Sequence, residues 1–168
     1  MQRIIPRSSP RETLDVPIQY APLNTEQFES AHTYDFSADG ICYESGRKLE
    51  PETEVCIVME NYEPQSNGLE AYRSYVARIR WIHLLSKNGS SRYAAGAQIV
   101  ARSHEIICSE DKLPQTACDL CGMLTPAHRL CQTDAGISLC RLCSKHLGSI
   151  PSEKIRQCVE RFLIGNVV

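Results

Sequence analysis

The sequence predicts a mainly β fold: a small six-stranded antiparallel β-barrel over residues 1–110, followed by a small α+β module over residues 111–168. Three observations predict it. Before residue 100, apolar residues recur in short runs with a period of two, separated by turn residues, and no stretch carries a clear helical period. Strands of that number and length with no long connections favour a closed or half-closed barrel. After residue 110 the pattern changes, and Cys118-x-x-Cys121 and Cys140-x-x-Cys143 give the spacing of a four-thiolate zinc site.

Size and charge narrow the function classes. A chain of 168 residues with 42% hydrophobic content can build one ordinary core and a satellite. A net charge of -2 provides no general basic field, so nonspecific binding to nucleic acid or an anionic membrane is not the default. No apolar run reaches signal-peptide or membrane-span length, which predicts a cytoplasmic protein without a membrane span. Nine cysteines is an odd number, and five crowd between Cys118 and Cys143, which argues for metal rather than disulfides.

Taken in order, the first fifteen residues carry Arg3, Arg7 and Arg11 and are broken by Pro6 and Pro10, so they read as a mobile basic arm. Arg7 and Arg11 stand four positions apart, where both guanidiniums could reach one anionic ligand; a solvated arm has the same composition. Strand runs follow at Val16–Tyr20, Glu29–Tyr34 and Ile41–Cys42–Tyr43, and then at Glu54–Met59, which is apolar on both faces. Asn61–Leu69 reads as a loop. The longest run, Tyr72–Leu85, places Tyr75, Ala77, Ile79 and Trp81 on one face, with Trp81 as a core or barrel-mouth residue. Lys87–Ser90 is a hairpin connection, and Tyr93–Val100 is the last strand, with Gly96 in its interior marking a bend or a close approach. Ala101–Cys108 is expected to be a short helix closing the barrel.

Between two of these runs lies Asp35-Phe36-Ser37-Ala38-Asp39-Gly40. Asp35 and Ser37 carry short side chains able to bond a ligand, and Gly40 can adopt backbone angles closed to other residues. A turn that caps its own amides uses the same residues.

Arg7-x-x-x-Arg11 followed by Asp35-x-Ser37-x-x-Gly40 resembles the two-part signature of the PilZ domain family, bacterial receptors for cyclic di-GMP. Ala77-Arg78-Ile79-Arg80-Trp81 resembles that family's strand ending in an aromatic residue, and Tyr93-Ala94-Ala95-Gly96 its closing strand. The resemblance covers residues 6 to about 100. It implies a PilZ-type barrel and a cyclic di-GMP site in which Arg7 and Arg11 bind phosphate and guanine, Asp35 accepts from guanine, Ser37 bonds phosphate or base, and Gly40 shapes the turn. It also implies an arm that orders on the nucleotide. Pro6 stands where many members have a further arginine.

In the second module, Cys118, Cys121, Cys140 and Cys143 are the expected ligands of one structural zinc, with Gly122 in the turn behind the first pair. Cys131, His128 and His146 are candidate substitute ligands. A hairpin about Asp134-Ala135-Gly136 and a helix over Arg141–Leu147 resemble a treble-clef zinc finger. A final helix from about Pro151 carries Ile155, Val159, Phe162 and Leu163 as its packing stripe.

The expected function is a non-catalytic cyclic di-GMP receptor that signals to a protein partner. No phosphate-binding Gly-rich loop, Gly-x-Ser-x-Gly elbow or His-Glu-x-x-His pair is present in the sequence. Two other readings stay open: a zinc-finger regulator that binds nucleic acid, and a degenerate adaptor that binds only protein. For the former, Arg129, Arg141, Lys145, Lys154, Arg156 and Arg161 are offset by Asp119, Asp134, Glu153 and Glu160.

Overall fold

The computed structural model describes residues 12–87 and 90–165. The chain divides into two compact units, Met1–Lys112 and Leu113–Val168.

The first unit contains β1 (Glu12–Thr13), β2 (Pro17–Pro22), β3 (Glu29–Ser37), β4 (Gly40–Ser45), β5 (Glu54–Met59), β6 (Ser74–Lys87) and β7 (Ser90–Ser103). The strand order is β1-β3-β2-β5-β6-β7-β4, and a further β3–β4 pairing closes six of them into a ring. All the pairings are antiparallel. Closure removes the unpaired edges that an open sheet of this size would expose. Ile18, Tyr20, Tyr43, Val55, Ile57, Met59, Tyr75 and Ile79 are almost fully buried and form the core of the barrel. On β5, Val55, Ile57 and Met59 belong to that core, and Cys56 and Val58 are also buried, as a strand covered on both faces requires.

Three breaks in register decide which side chains turn inward. On β3, Thr33 pairs with Tyr43 and Asp35 with Cys42, so Tyr34 is an extra residue. Thr33 and Phe36 then share the inward face, and Asp35 turns outward opposite Cys42. A strict period of two would have driven the Asp35 carboxylate into the barrel. On β6, Ile79 pairs with Ala97 and Trp81 with Gly96, leaving Arg80 extra. The expected face of Tyr75, Ala77, Ile79 and Trp81 therefore ends at Ile79: Ile82 takes the next core position, and Trp81 lies outside over Gly96. On β7, Val100 is the extra residue, since Ile99 pairs with Ala77 and Ala101 with Val76.

The expected helix over Ala101–Cys108 does not form. β7 continues through Ser103, and the chain beyond is held by the buried Ser74, whose Oγ donates to Glu105 O at 2.6 Å and accepts from Ile107 N at 3.0 Å. Cys108 is joined to Cys56 by a disulfide, with Cα atoms 5.2 Å apart, so the expectation of metal rather than disulfide cysteines fails for this pair.

The second unit contains two short hairpins and two helices. β8 (Gln115–Ala117) pairs with β9 (Leu124–Pro126), and β10 (Cys131–Gln132) pairs with β11 (Ser138–Leu139). α1 (Arg141–Gly148) starts at Cys140, whose sulfur accepts from the Cys143 amide, and α2 is Glu153–Leu163. Ile137, Leu139 and Leu147 form a small core with the buried cysteines, and Val159 and Leu163 pack against it. The expected packing stripe of α2 is only half used: Ile155 and Phe162 are 55% and 69% exposed. No helix among the described residues is long and apolar enough to cross a membrane.

Candidate functional site

The Asp35–Gly40 corner is the connection between β3 and β4. Asp35 is half-buried on the outer face, paired in register with Cys42 and with Thr13 of β1. Ser37 Oγ lies 3.5 Å from Gly40 O, the outer limit of a hydrogen bond, so the corner is only weakly tied by its own hydroxyl. The reason for glycine at position 40 differs from the expected one. Gly40 is not among the residues with positive φ; instead a Cβ there would stand 3.2 Å from Ala97 O across the β4–β7 pair. Close approach of a neighbouring strand, rather than backbone freedom, selects glycine here. Arg7 and Arg11 lie outside the described residues.

The corner borders a cavity of about 490 Å³. Phe36, Ser37 and Ala38 come to it from the corner, Tyr72 and Tyr75 from the start of β6 and the loop before it, and Arg102 from β7. Arg102 donates to Ala38 O at 3.0 Å, tying the corner to the end of β7. Its guanidinium stands 5.5 Å from the centre of the Tyr72 ring. Tyr72 is stacked at 4.9 Å on His104 and meets Tyr75 edge-on at 5.9 Å. Burial raises the Tyr75 phenol despite the opposing charge of Arg102, and its hydroxyl donates to Leu69 O at 2.6 Å, so that tyrosine is a fixed wall. The loop Asn61–Ala71 supplies Ser66, Asn67 and Gly68.

Sequence reasoning placed Asp35 and Ser37 at this corner but not Arg102, Tyr72 or Ser66. For Arg102 the missing signal was the extra residue Val100, which no alternation of apolar and polar residues reveals.

A second cluster lies in the C-terminal unit. One sulfur from each of Cys118, Cys121, Cys140 and Cys143 stands within 4.8 Å of the other three. Cys121 and Cys140 are 3.9 Å apart at sulfur, close to the ~3.8 Å edge of a tetrahedron with metal–sulfur bonds of about 2.3 Å. The donor set therefore fits a tetrahedral soft-metal site. Gly122, with φ of 73°, makes the turn behind the first pair, and its amide donates to Cys118 O at 2.8 Å. Burial works against ionisation of Cys118, but the amides of Cys140, Cys121 and Leu120 outweigh it and hold the thiol down at about 6. Burial and the neighbouring sulfurs push Cys143 up to about 12. Cys131, His128 and His146 are not part of the four-residue group.

No family model and no curated protein matches the chain. Among solved structures, it is similar to the Bacillus subtilis inhibitor of motility (MotI/DgrA), with a TM-score of 0.43 and 18% identity over 61% of this chain and 46% of that one. It is also similar to K. pneumonia MrkH in a complex with c-di-GMP, with a TM-score of 0.41 and 11% identity over 57% of this chain and 45% of that one. A third is Borreliella burgdorferi PlzA in complex with c-di-GMP, at a TM-score of 0.38 and 10% identity over 57% of this chain and 41% of that one. The chain thus spans less than half the length of each.

Proposed function

We propose that the chain is a non-catalytic, cytoplasmic cyclic di-GMP receptor of the PilZ type. The observation that carries this reading is the β3–β4 corner, whose Ser37 lines a ligand-sized cavity, with Asp35 turned outward on the same strand and outside the cavity's lining. In this reading Asp35 accepts from the N1 and N2 protons of a guanine, and Ser37 bonds a phosphate or the base. Gly40 lets the corner lie close against Ala97. Arg7 and Arg11 engage the phosphates and the O6/N7 edge of guanine, which a guanidinium fork meets in two parallel bonds. The arm folds over the nucleotide when it binds, and this order changes the surface offered to a protein partner. The four-cysteine cluster holds one structural zinc in this reading, because four thiolates close the tetrahedron and leave no position for a reacting water.

Calorimetric titration with cyclic di-GMP tests the receptor reading. Binding is expected in the wild type and is lost or severely weakened in Arg7→Ala, Arg11→Ala and Asp35→Ala. No heat of binding in the folded wild type, checked by a second method at two temperatures, overturns it.

A further inference from the structure

We infer that the cavity beside the corner is a guanine subsite in which Arg102, backed by Tyr72, reads the base from the barrel side. The inference rests on the receptor reading above and adds to it residues outside the Arg-x-x-x-Arg and Asp-x-Ser-x-x-Gly motifs.

The placement of Arg102 is built rather than incidental. The extra residue Val100 shifts the phase of β7 so that Arg102 pairs with Tyr75, the innermost aromatic of this end of the barrel. Without that shift the arginine would share a face with Ala101's present position, away from Tyr75. The guanidinium is then held twice, by its bond to Ala38 O and by the Tyr72 ring, which is itself stacked on His104. One of five N–H donors is used in the bond to Ala38, and no carboxylate among the described residues forms an ion pair with Arg102. An arginine fixed in this way has already lost much of the side-chain freedom that binding would otherwise remove.

One further group points to a ligand. Glu12 of β1 also lines the cavity. A phosphate alone would be repelled by this carboxylate, whereas guanine suits both charges: O6 and N7 accept from the Arg102 fork, and N1 and N2 donate to Glu12. Adenine presents an amino donor where guanine has O6, so the same fork rejects it.

Titrations of the full chain with cyclic di-GMP, cyclic di-AMP and the inosine analogue of cyclic di-GMP test this, with melting curves to confirm that each variant is folded. Arg102→Ala is expected to raise Kd for cyclic di-GMP by roughly tenfold or more, and Arg102→Lys to fail to restore it, because an ammonium has no fork. Glu12→Gln is expected to weaken binding of cyclic di-GMP more than that of the inosine analogue, which keeps the N1 proton but lacks the N2 amino group. Wild-type affinity in folded Arg102→Ala, or full restoration by Arg102→Lys, overturns the subsite. If Arg7→Ala abolishes binding while Arg102→Ala does not, the receptor reading stands and this inference alone falls. A wild type that binds no cyclic di-GMP removes both. Should Arg102→Ala fail to fold, Glu12→Gln decides, and equal losses for both ligands count against the subsite.

Discussion

The indole of Trp81 occupies the space that a side chain at Gly96 would need: a Cβ built there would stand 2.0 Å from Trp81 Cε2. The two residues face each other across β6 and β7 on the outside of the barrel, where the extra residue Arg80 has turned the tryptophan out. An aromatic ring over a glycine in this way covers backbone that a glycine leaves bare. Gly96→Ala should therefore displace the indole and cost about 1–3 kcal/mol, in the range of other overpacking substitutions. Denaturant unfolding gives the cost, and a red shift of the emission of this single tryptophan reports the displacement. An unchanged emission maximum with unchanged stability would contradict the contact.

The Cys56–Cys108 bond joins β5 to the segment after β7, 52 residues apart in sequence. Loop-closure entropy for a span of that length gives roughly 4 kcal/mol of stabilisation. Cys56→Ser with Cys108→Ser, or reduction of the wild type, should lower the unfolding free energy of the barrel by an amount of this order. Non-reducing peptide mapping checks the bond itself. A reduced pair in freshly isolated protein, with no change of stability on adding reductant, would remove the bond from the account.

How much of this was legible in the sequence can be traced to particular residues. The strand over Glu54–Met59 was readable in full because both of its faces are buried and the apolar run is continuous. The strands around it were readable in kind but not in phase. Tyr34, Arg80 and Val100 each insert one residue, and a single insertion reverses the assignment of every side chain after it. That is why Trp81 was expected inside and why Arg102 went unnoticed. Ala101–Cys108 has an apolar content compatible with a helix, but two long-range ties, the Ser74 hydroxyl and Cys56, override local preference. The cysteine spacing was legible because a metal knuckle is local, whereas the Cys56–Cys108 pairing depends on closure of the barrel.

Tyr20, Glu29, Ser45 and Arg47 form a hydrogen-bonded group at one end of the barrel. The buried Tyr20 hydroxyl donates to Glu29 Oε2 at 2.6 Å, lies 2.8 Å from Ser45 Oγ and accepts from the Gly46 amide at 3.0 Å. Arg47 Nε donates to Glu29 Oε1 at 2.6 Å. The Tyr20 hydrogen bond, together with Arg47, lowers the Glu29 carboxyl despite burial, and burial followed by Glu29 raises the Tyr20 phenol. The folded carboxyl releases its proton at lower pH than the unfolded one, so its contribution is complete above the ordinary value of about 4.3 and is lost as pH falls through the lowered value. Tyr20 has the opposite sign: its contribution is complete below about 10 and is lost as pH rises through its raised value. Glu29 and Arg47 are partly exposed, so Glu29→Gln should cost under about 1 kcal/mol at neutral pH and flatten the acid limb of the stability profile. Tyr20→Phe should cost more, about 1–3 kcal/mol, because it strands buried partners, and should flatten the alkaline limb. Urea unfolding from about pH 3 to above about pH 11 reads both, and an acid limb that is the same in wild type and Glu29→Gln would refute the assignment.

The C-terminal unit has too little core to hold itself together. Its fully described apolar core comprises Ile137, Leu139 and Leu147 around Cys118, Cys140 and Cys143, and α2 contributes no buried residue of its own. A unit of this size depends on a staple, and four sulfurs already gathered within 4.8 Å supply the site for one. The prediction is about one zinc per chain by elemental analysis of protein purified without chelator. Removal of the metal, or Cys118→Ser or Cys143→Ser, should abolish the helical circular dichroism of α1 and α2, because binding free energies of about 10–16 kcal/mol for structural zinc exceed the folding free energy of so small a unit. The first unit, with its own closed barrel and disulfide, should keep its β signal and its single-tryptophan emission under the same chelation. A metal-free chain that retains both helices at ordinary temperature would show that the cysteines are structural neighbours and not ligands.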